Sequence, residues 1–310
     1  MILKRLINPK PTIILFFIVF CIAFALIPLL NNHLNVLFSH NWASAYVVFI
    51  LGLIITFFHA LGLNNLVYEK NIIKKDNLVL GFVYVLLCTP FYNTVSAWFI
   101  SFFLLFYINY LFESYQKDYP LSQFFNAAFI LSILSFFCPI IIVLLPLIII
   151  SGINFDNINW RGLLTISIGI VLPYLFYFVY TKVYDLQFYT PDFTTFQIIK
   201  LPDYTLWDTA TKIWLGIVFV IGLFSFFELF RWLYKKSIRS RKSFIIILFY
   251  FILTCFIVLF GPDDSWYYLL SPLSIIIANF FTYTKRQKIA NLLFLLLIIS
   301  SIAYRYLIVI

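Results

Sequence analysis

Apolar runs of membrane length, separated by short polar links, follow one another along this chain from Pro11 onward. A run of about 20 apolar residues forms a helix that crosses the roughly 30 Å hydrocarbon core of a bilayer. The composition agrees, because 64% of the 310 residues are hydrophobic and 11% are charged, whereas soluble domains carry about 25% charged residues. A soluble fold is therefore excluded, and the expected fold is an all-α, polytopic bundle of transmembrane helices.

The apolar pattern predicts about eleven spans, within a range of nine to eleven, in a single domain over residues 1–310. Two neighbouring pairs have very short links, so each pair is interpreted either as two full spans or as a re-entrant hairpin. These pairs are 77–91 with 95–112, and 123–137 with 140–153. The predicted spans are 12–31, 43–62, 77–91, 95–112, 123–137, 140–153, 162–181, 212–233, 243–260, 266–282 and 289–307.

Lysine and arginine residues divide unequally between alternate links, which indicates the orientation of the chain because positive residues favour the cytoplasmic side. On one side lie Lys4, Arg5, Lys10, Lys70, Lys74, Lys75, Lys117, Arg161, Arg231, Lys235, Lys236, Arg239, Arg241, Lys242, Lys285, Arg286 and Lys288, and on the other lie Lys182, Lys200, Lys212 and Arg305. The N-terminus is therefore predicted to be cytoplasmic and the C-terminus external, in a bacterial cytoplasmic (inner) membrane. This distribution also explains the net charge of +9, so no nucleic-acid partner is expected.

The longest external link, 182–211, combines acids, lysines and aromatic residues and is predicted to lie at the membrane interface. Its polar side chains are candidate substrate-binding residues, because lysines can meet phosphate and the carboxylates are available as a base or metal ligand. A solvated turn is the simpler interpretation for the two acids that follow prolines. The candidates are Asp185, Asp192, Asp203, Asp208, Lys182 and Lys200.

An adjacent carboxylate pair, Asp263 and Asp264, stands between two predicted spans on the external face. As candidate catalytic residues, these acids would supply a general base or hold a divalent cation near a lipid phosphate. The alternative is structural, because an aspartate before a helix caps its first turn and complements its dipole.

Metal and cofactor sites are not expected from the sequence. Each cysteine stands alone in an apolar run, and the histidines His33, His40 and His59 have no third ligand at a nearby spacing. No nucleotide-binding or metalloprotease motif occurs.

Two stretches resemble the multi-spanning glycosyltransferases of the GT-C class, which use polyprenyl-phosphate-linked sugars. The first, Phe91 to Tyr180, has a helix pair opened by a polar turn, a basic link, an apolar pair broken by proline, and a span with Pro-Tyr. The second is SWYYLLSPLSIIIANFF, followed by a basic turn and a last span. The resemblance covers about residues 78–310 and implies a GT-C-like helix arrangement. The first external link, from Asn31 to Trp42, lacks the acid that this class carries there, so no catalytic residue is carried over.

The link NLVYEKNIIKKDNLVLG also resembles that of a bacterial inner-membrane family without an assigned activity. The favoured hypothesis is a non-catalytic GT-C-like scaffold or assembly partner in cell-envelope biogenesis, with membrane lipid and other membrane subunits as partners. The first alternative is a divergent glycosyltransferase acting on a polyprenyl-phosphate-linked sugar, so enzymatic activity is left open. The second is a small-molecule or lipid transporter, whose polar face would include Asn93, Thr94, Asn126 and Asn279.

The transferase alternative makes one prediction about the carboxylate pair. If Asp263 or Asp264 acts as the base, the double replacement by Asn lowers turnover of a polyprenyl-phosphate-linked sugar by about 100-fold or more. Turnover is measured in membranes, with expression followed by immunoblot as the control. Wild-type turnover by the double variant removes both acids from the mechanism.

Overall fold

The computed structural model of the chain describes residues 2–7, 9–27, 45–89, 95–188, 208–261 and 265–307. Within these ranges the secondary structure is helical, and its only extended pairing is an isolated bridge between Ile7 and Asn77. The all-α prediction is therefore confirmed for the described residues. The helices are α1 (Ile2–Leu6), α2 (Pro11–Leu26), α3 (Ala45–Glu69), α4 (Val79–Leu87), α5 (Val95–Glu113), α6 (Leu121–Phe137), a 3₁₀ helix (Pro139–Leu144), α7 (Leu145–Asn154), α8 (Trp160–Val183), α9 (Thr209–Leu233), α10 (Ile238–Phe260), α11 (Trp266–Tyr283) and α12 (Gln287–Leu307).

Six of these helices are long and apolar enough to cross a membrane, by length and composition: α3, α5, α8, α9, α10 and α12. Each of the eleven predicted spans overlaps a helix, but several of those helices are short. The nine residues of α4 extend about 14 Å along the helix axis, which is about half the thickness of the hydrocarbon core of a bilayer. Eleven full spans therefore stay a prediction, whereas six span candidates are a property of the structure.

Pro139 directly precedes the apolar run 140–153, and Pro146 lies within it. Cys138 has an extended backbone, and Pro139 then begins the 3₁₀ helix. Pro146 stands in the first turn of α7, where its missing N–H is not needed. The sequence therefore forms two short helical pieces in place of one continuous span.

The chain divides into two compact units, and unit 1 comprises Met1–Phe99, Pro202–Ser237 and Leu270–Ile310. Within it, α3 packs against α2 and α4, and α12 packs against α1, α4 and α9. Every residue of α4 is buried, so this apolar helix is surrounded by protein. Phe17 of α2 contributes to this core by meeting Phe82 of α4 at a ring-centroid distance of 4.8 Å.

Unit 2 comprises Ile100–Leu201 and Ile238–Leu269, and its most extensive helix contact is between α6 and α8. Serine side chains of α6 cross that contact: Ser132 Oγ donates to the Ile170 carbonyl at 2.6 Å, and Ser135 Oγ lies 2.5 Å from the Tyr174 hydroxyl. Small residues and hydroxyl bonds of this kind are typical of helix pairs inside membranes. These contacts do not test the predicted single domain over 1–310, which stays a prediction.

The close approach of α6 and α8 depends on Gly169. A Cβ atom at this position would lie 2.9 Å from the Ala128 Cβ and 2.9 Å from the carbonyl oxygen of Phe125. Because a backbone atom cannot move aside, Gly169→Ala is expected to lower the unfolding free energy by about 1–3 kcal/mol. The measurement is the thermal unfolding midpoint of the purified protein in detergent.

Gly216→Ala is the matched control, because a Cβ at Gly216 of α9 meets nothing within 4 Å. Its midpoint should stay unchanged or rise slightly, since alanine favours a helix by about 1 kcal/mol over glycine. Equal midpoints for the two variants would contradict the tight α6–α8 contact.

Candidate site at the basic end of unit 1

Most of the site residues predicted from the sequence lie outside the described residues. These are Asp263 and Asp264, predicted as catalytic, and Asp192, Asp203 and Lys200, predicted to bind substrate. The structure therefore leaves their roles as predictions. His33 and His40 also lie outside the described ranges.

The three remaining candidates are exposed residues at helix ends. Lys182 lies in the last turn of α8, with its Nζ 5.8 Å from the Phe178 ring centroid. Asp185 follows that helix with a φ of 52°, and the next amide, Leu186 N–H, donates to the Thr181 carbonyl at 2.8 Å. This is the bonding of a helix C-terminus closed by a left-handed residue. Asp208 immediately precedes α9, where a carboxylate complements the helix dipole.

Among the described residues of unit 1, a group of polar contacts lies instead in links predicted to be cytoplasmic. It begins with the link between α3 and α4. Asn71, with a φ of 56°, follows the C-terminal end of α3, and Ile72 and Ile73 are both fully buried. Asn77 donates to the Lys75 carbonyl at 2.8 Å, and Leu78 N–H donates to the Leu6 carbonyl of α1 at 3.0 Å. The link is therefore anchored at both ends.

Tyr283, the last residue of α11, meets this link and a second one. Its hydroxyl accepts a hydrogen bond of 2.9 Å from the Lys74 backbone N–H. The Nζ atoms of Lys75 and Lys236 lie 5.2 Å and 4.5 Å from its ring centroid. Both distances are within the range at which an aromatic ring attracts a cation. One phenol ring therefore contacts two ammonium groups that are 161 positions apart in the chain, from 75 to 236.

Lys236 is also held by Asn279, one turn before Tyr283 on α11. Its Nζ donates to the buried Asn279 Oδ1 at 2.7 Å. Burial lowers the pKa of the Lys236 ammonium to about 7. We call Lys75, Lys236, Asn279 and Tyr283 the Tyr283 cluster.

A second aromatic residue beside these links, Trp232, is also surrounded by lysines. The Nζ atoms of Lys235 and Lys285 lie 5.5 Å and 5.7 Å from its ring centroid. The indole N–H donates to Glu228 Oε1 at 2.5 Å, which fixes the plane of the ring. Ammonium groups arranged at one end of an apolar helix bundle can bind phosphate oxygens, since lysine acts on phosphate as a point charge.

In the sequence these lysines are topology signals, and their spacing does not predict the cluster. One usable signal was present: Trp232, Tyr234 and Tyr283 stand directly beside the basic links. Asn279 had been assigned to a possible transport face, and its role in the structure is to hold Lys236. Asn93 and Thr94 lie outside the described residues.

Other buried polar groups of unit 1 have structural partners. The His59 Nε2 lies 3.1 Å from Ser271 Oγ, and the His59 ring stacks on Tyr84 at 4.3 Å. Arg305 donates to the Ala25 carbonyl at 3.3 Å and so satisfies an acceptor in the last turn of α2. Within the described ranges no group of three His, Cys, Asp or Glu side chains could hold a metal ion.

The apolar helices define the class of the protein, which is a helical membrane protein. The chain belongs to a family of unknown function, DUF6427, whose sequence pattern matches residues 1–310. No curated protein and no solved structure matches the chain. The resemblance to GT-C glycosyltransferases therefore stays an interpretation of the sequence.

The position of Lys236 predicts how stability depends on pH. An unfolded lysine keeps its proton up to about pH 10.4, whereas the folded protein releases this proton near pH 7. Between these values the unfolded state binds more protons, so the free energy of unfolding rises with pH. The unfolding midpoint in detergent is expected to increase by a few degrees from pH 7 to pH 9.5.

Lys236→Met should flatten this part of the pH profile, because the variant has no proton to release there. Lys235→Met is the matched control, since Lys235 is the exposed neighbour in the same link. A Lys236→Met profile with the wild-type slope would contradict the assignment.

Proposed function

We propose that the protein is a non-catalytic scaffold or assembly partner in the bacterial cytoplasmic membrane, acting in cell-envelope biogenesis. On this proposal, the Tyr283 cluster binds the phosphate headgroups of anionic lipids and so fixes the protein at the inner surface. The observation that carries the proposal is the arrangement of Lys75 and Lys236 around one aromatic ring.

The partners of the lysines support this role. Lys75 contacts the Tyr283 ring and, at 3.4 Å, the Thr282 carbonyl, and Lys285 contacts the Trp232 ring. Aromatic and carbonyl contacts orient an ammonium group without neutralising its formal charge. Each such charge near an anionic membrane surface contributes about 1 kcal/mol of attraction.

The anchoring of the links supports a scaffold role. Tyr283 and its two lysines tie the end of α11 to the links after α3 and α9. Their contacts hold backbone and side chains in place, which gives a rigid surface for lipid headgroups and for a neighbouring subunit.

Neutralising the cluster tests the lipid part of this proposal. Lys75→Gln/Lys236→Gln removes two positive charges at pH 6, below the Lys236 pKa of about 7, and should there reduce the affinity for phosphatidylglycerol by about 10-fold or more. The measurement is native mass spectrometry of protein released from nanodiscs that contain phosphatidylglycerol and phosphatidylcholine.

Lys117→Gln/Arg161→Gln is the matched control, because it removes two positive charges from other links predicted to be cytoplasmic. It should retain phosphatidylglycerol at the wild-type level. Equal losses in the two double variants would show that general charge, and not the cluster, attracts the lipid.

The scaffold part is tested by affinity purification from membranes in a mild detergent. Stable co-purifying membrane subunits of envelope assembly support a scaffold. A monodisperse monomer that binds polyprenyl phosphate favours the transferase alternative.

A further inference from the structure

An open groove runs along α12 within unit 1, with α9 beside one of its ends. Its volume is about 700 Å³. Ile213 and Ile217 of α9 form the wall at the Ser300 end, where Trp214 donates to Ser301. The lining from α12 consists of four leucine and isoleucine side chains and of Lys288, Asn291 and Ser300. Two of these side chains are largely exposed, Leu292 at 62% and Ile299 at 66%. In a membrane protein such a concave apolar surface is filled by hydrocarbon.

The length of the groove matches one leaflet of a bilayer. Its lining on α12 extends from Lys288 to Ser300, and twelve steps along a helix rise about 18 Å. Half of a hydrocarbon core measures about 15 Å. One acyl chain that enters from the surface beside Lys288 would therefore occupy the groove along its full length.

The two ends of the groove differ in charge. Lys288, which is exposed, lies in the first turn of α12, whereas the lining at the other end contains Ile299 and the neutral Ser300. The short helix α1 packs against α12, and Leu3 N–H donates to Asn291 Oδ1 at 3.2 Å. Two further exposed cations are carried by α1, Lys4 and Arg5.

We propose that this groove is a binding site for an anionic phospholipid, with one acyl chain along α12 and the phosphate at Lys288. The charge complementarity supplies the argument for this occupant. A positive end and an apolar body match an amphiphile with one negative headgroup, and the positive end of the α12 dipole also favours an anion. The site is separate from the Tyr283 cluster and shares no residue with it.

The experiment uses a phosphatidylglycerol probe that carries a photoactivatable diazirine on one acyl chain. The full-length protein is placed in phosphatidylcholine nanodiscs with a small fraction of this probe, irradiated, digested and mapped by mass spectrometry. Cross-links should concentrate on residues 288–300. Unlabelled phosphatidylglycerol should suppress them several-fold more effectively than phosphatidylcholine.

Two variants and two matched controls sharpen the test. Lys288→Gln should reduce labelling of this segment several-fold, and Leu295→Trp should remove it by filling the groove. Lys117→Gln changes the same charge elsewhere, and Phe219→Trp adds an indole to an exposed position of α9. In both control variants, residues 288–300 should be cross-linked to the lipid probe to the same extent as in the wild type. Lys288 is on the surface, so its variant remains informative if Leu295→Trp does not fold.

Three results would overturn the proposal. Labelling spread evenly over α8, α9 and α12, or equal competition by phosphatidylcholine, would indicate unspecific surrounding lipid. Absence of lipid label from residues 288–300, together with a dimer seen by native mass spectrometry, would assign the groove to a protein interface. Lys75→Gln/Lys236→Gln should leave labelling of the groove intact, so a failure of this site is distinguishable from a failure of the proposed function.

Discussion

The requirement that backbone polar groups be satisfied inside a hydrocarbon environment governs this structure. Helices meet it along their length but leave carbonyl groups without partners at their C-terminal ends. Here the left-handed residues Asn71, Asp156 and Asp185 stand two positions after the ends of α3, α7 and α8, with φ values between 52° and 59°. In each case the next amide reaches back to a carbonyl of the last turn. Short polar residues thereby allow the chain to leave a helix within a few residues and to form compact links.

Hydropathy was sufficient to locate the helices but not to decide which of them face lipid. The run 77–91 is as apolar as a span, yet α4 comprises nine residues and all of them are buried. An apolar residue satisfies a protein interior and a lipid tail equally well, so the sequence could not separate the two environments. Prolines predicted local structure better than hydropathy did. In the second predicted hairpin, Pro139 begins the 3₁₀ helix and Pro146 lies in the first turn of α7.

The candidate site was harder to predict, because its contacts join links that are far apart in the chain. The acids of the predicted external face are the candidates that the sequence offers, since carboxylates commonly act in acid–base catalysis. Of these, Asp185 occupies the left-handed position that ends α8. Lysines near a membrane surface are usually explained by the orientation of the chain. The sequence therefore provides no reason to predict that they surround Tyr283. Lys75 and Lys236 are far apart in the sequence, so no short-range pattern predicts that both contact the Tyr283 ring.

The spacing of Asn279 and Tyr283 has a mechanical consequence. Residues four apart lie on the same side of a helix, and both contact Lys236. If α11 turned about its own axis by one residue, about 100°, the amide and the phenol would leave the lysine together. The side chains of α11 are largely buried, so the surrounding protein resists this rotation as well. The two contacts with Lys236 therefore add to packing in setting which side of α11 faces that lysine.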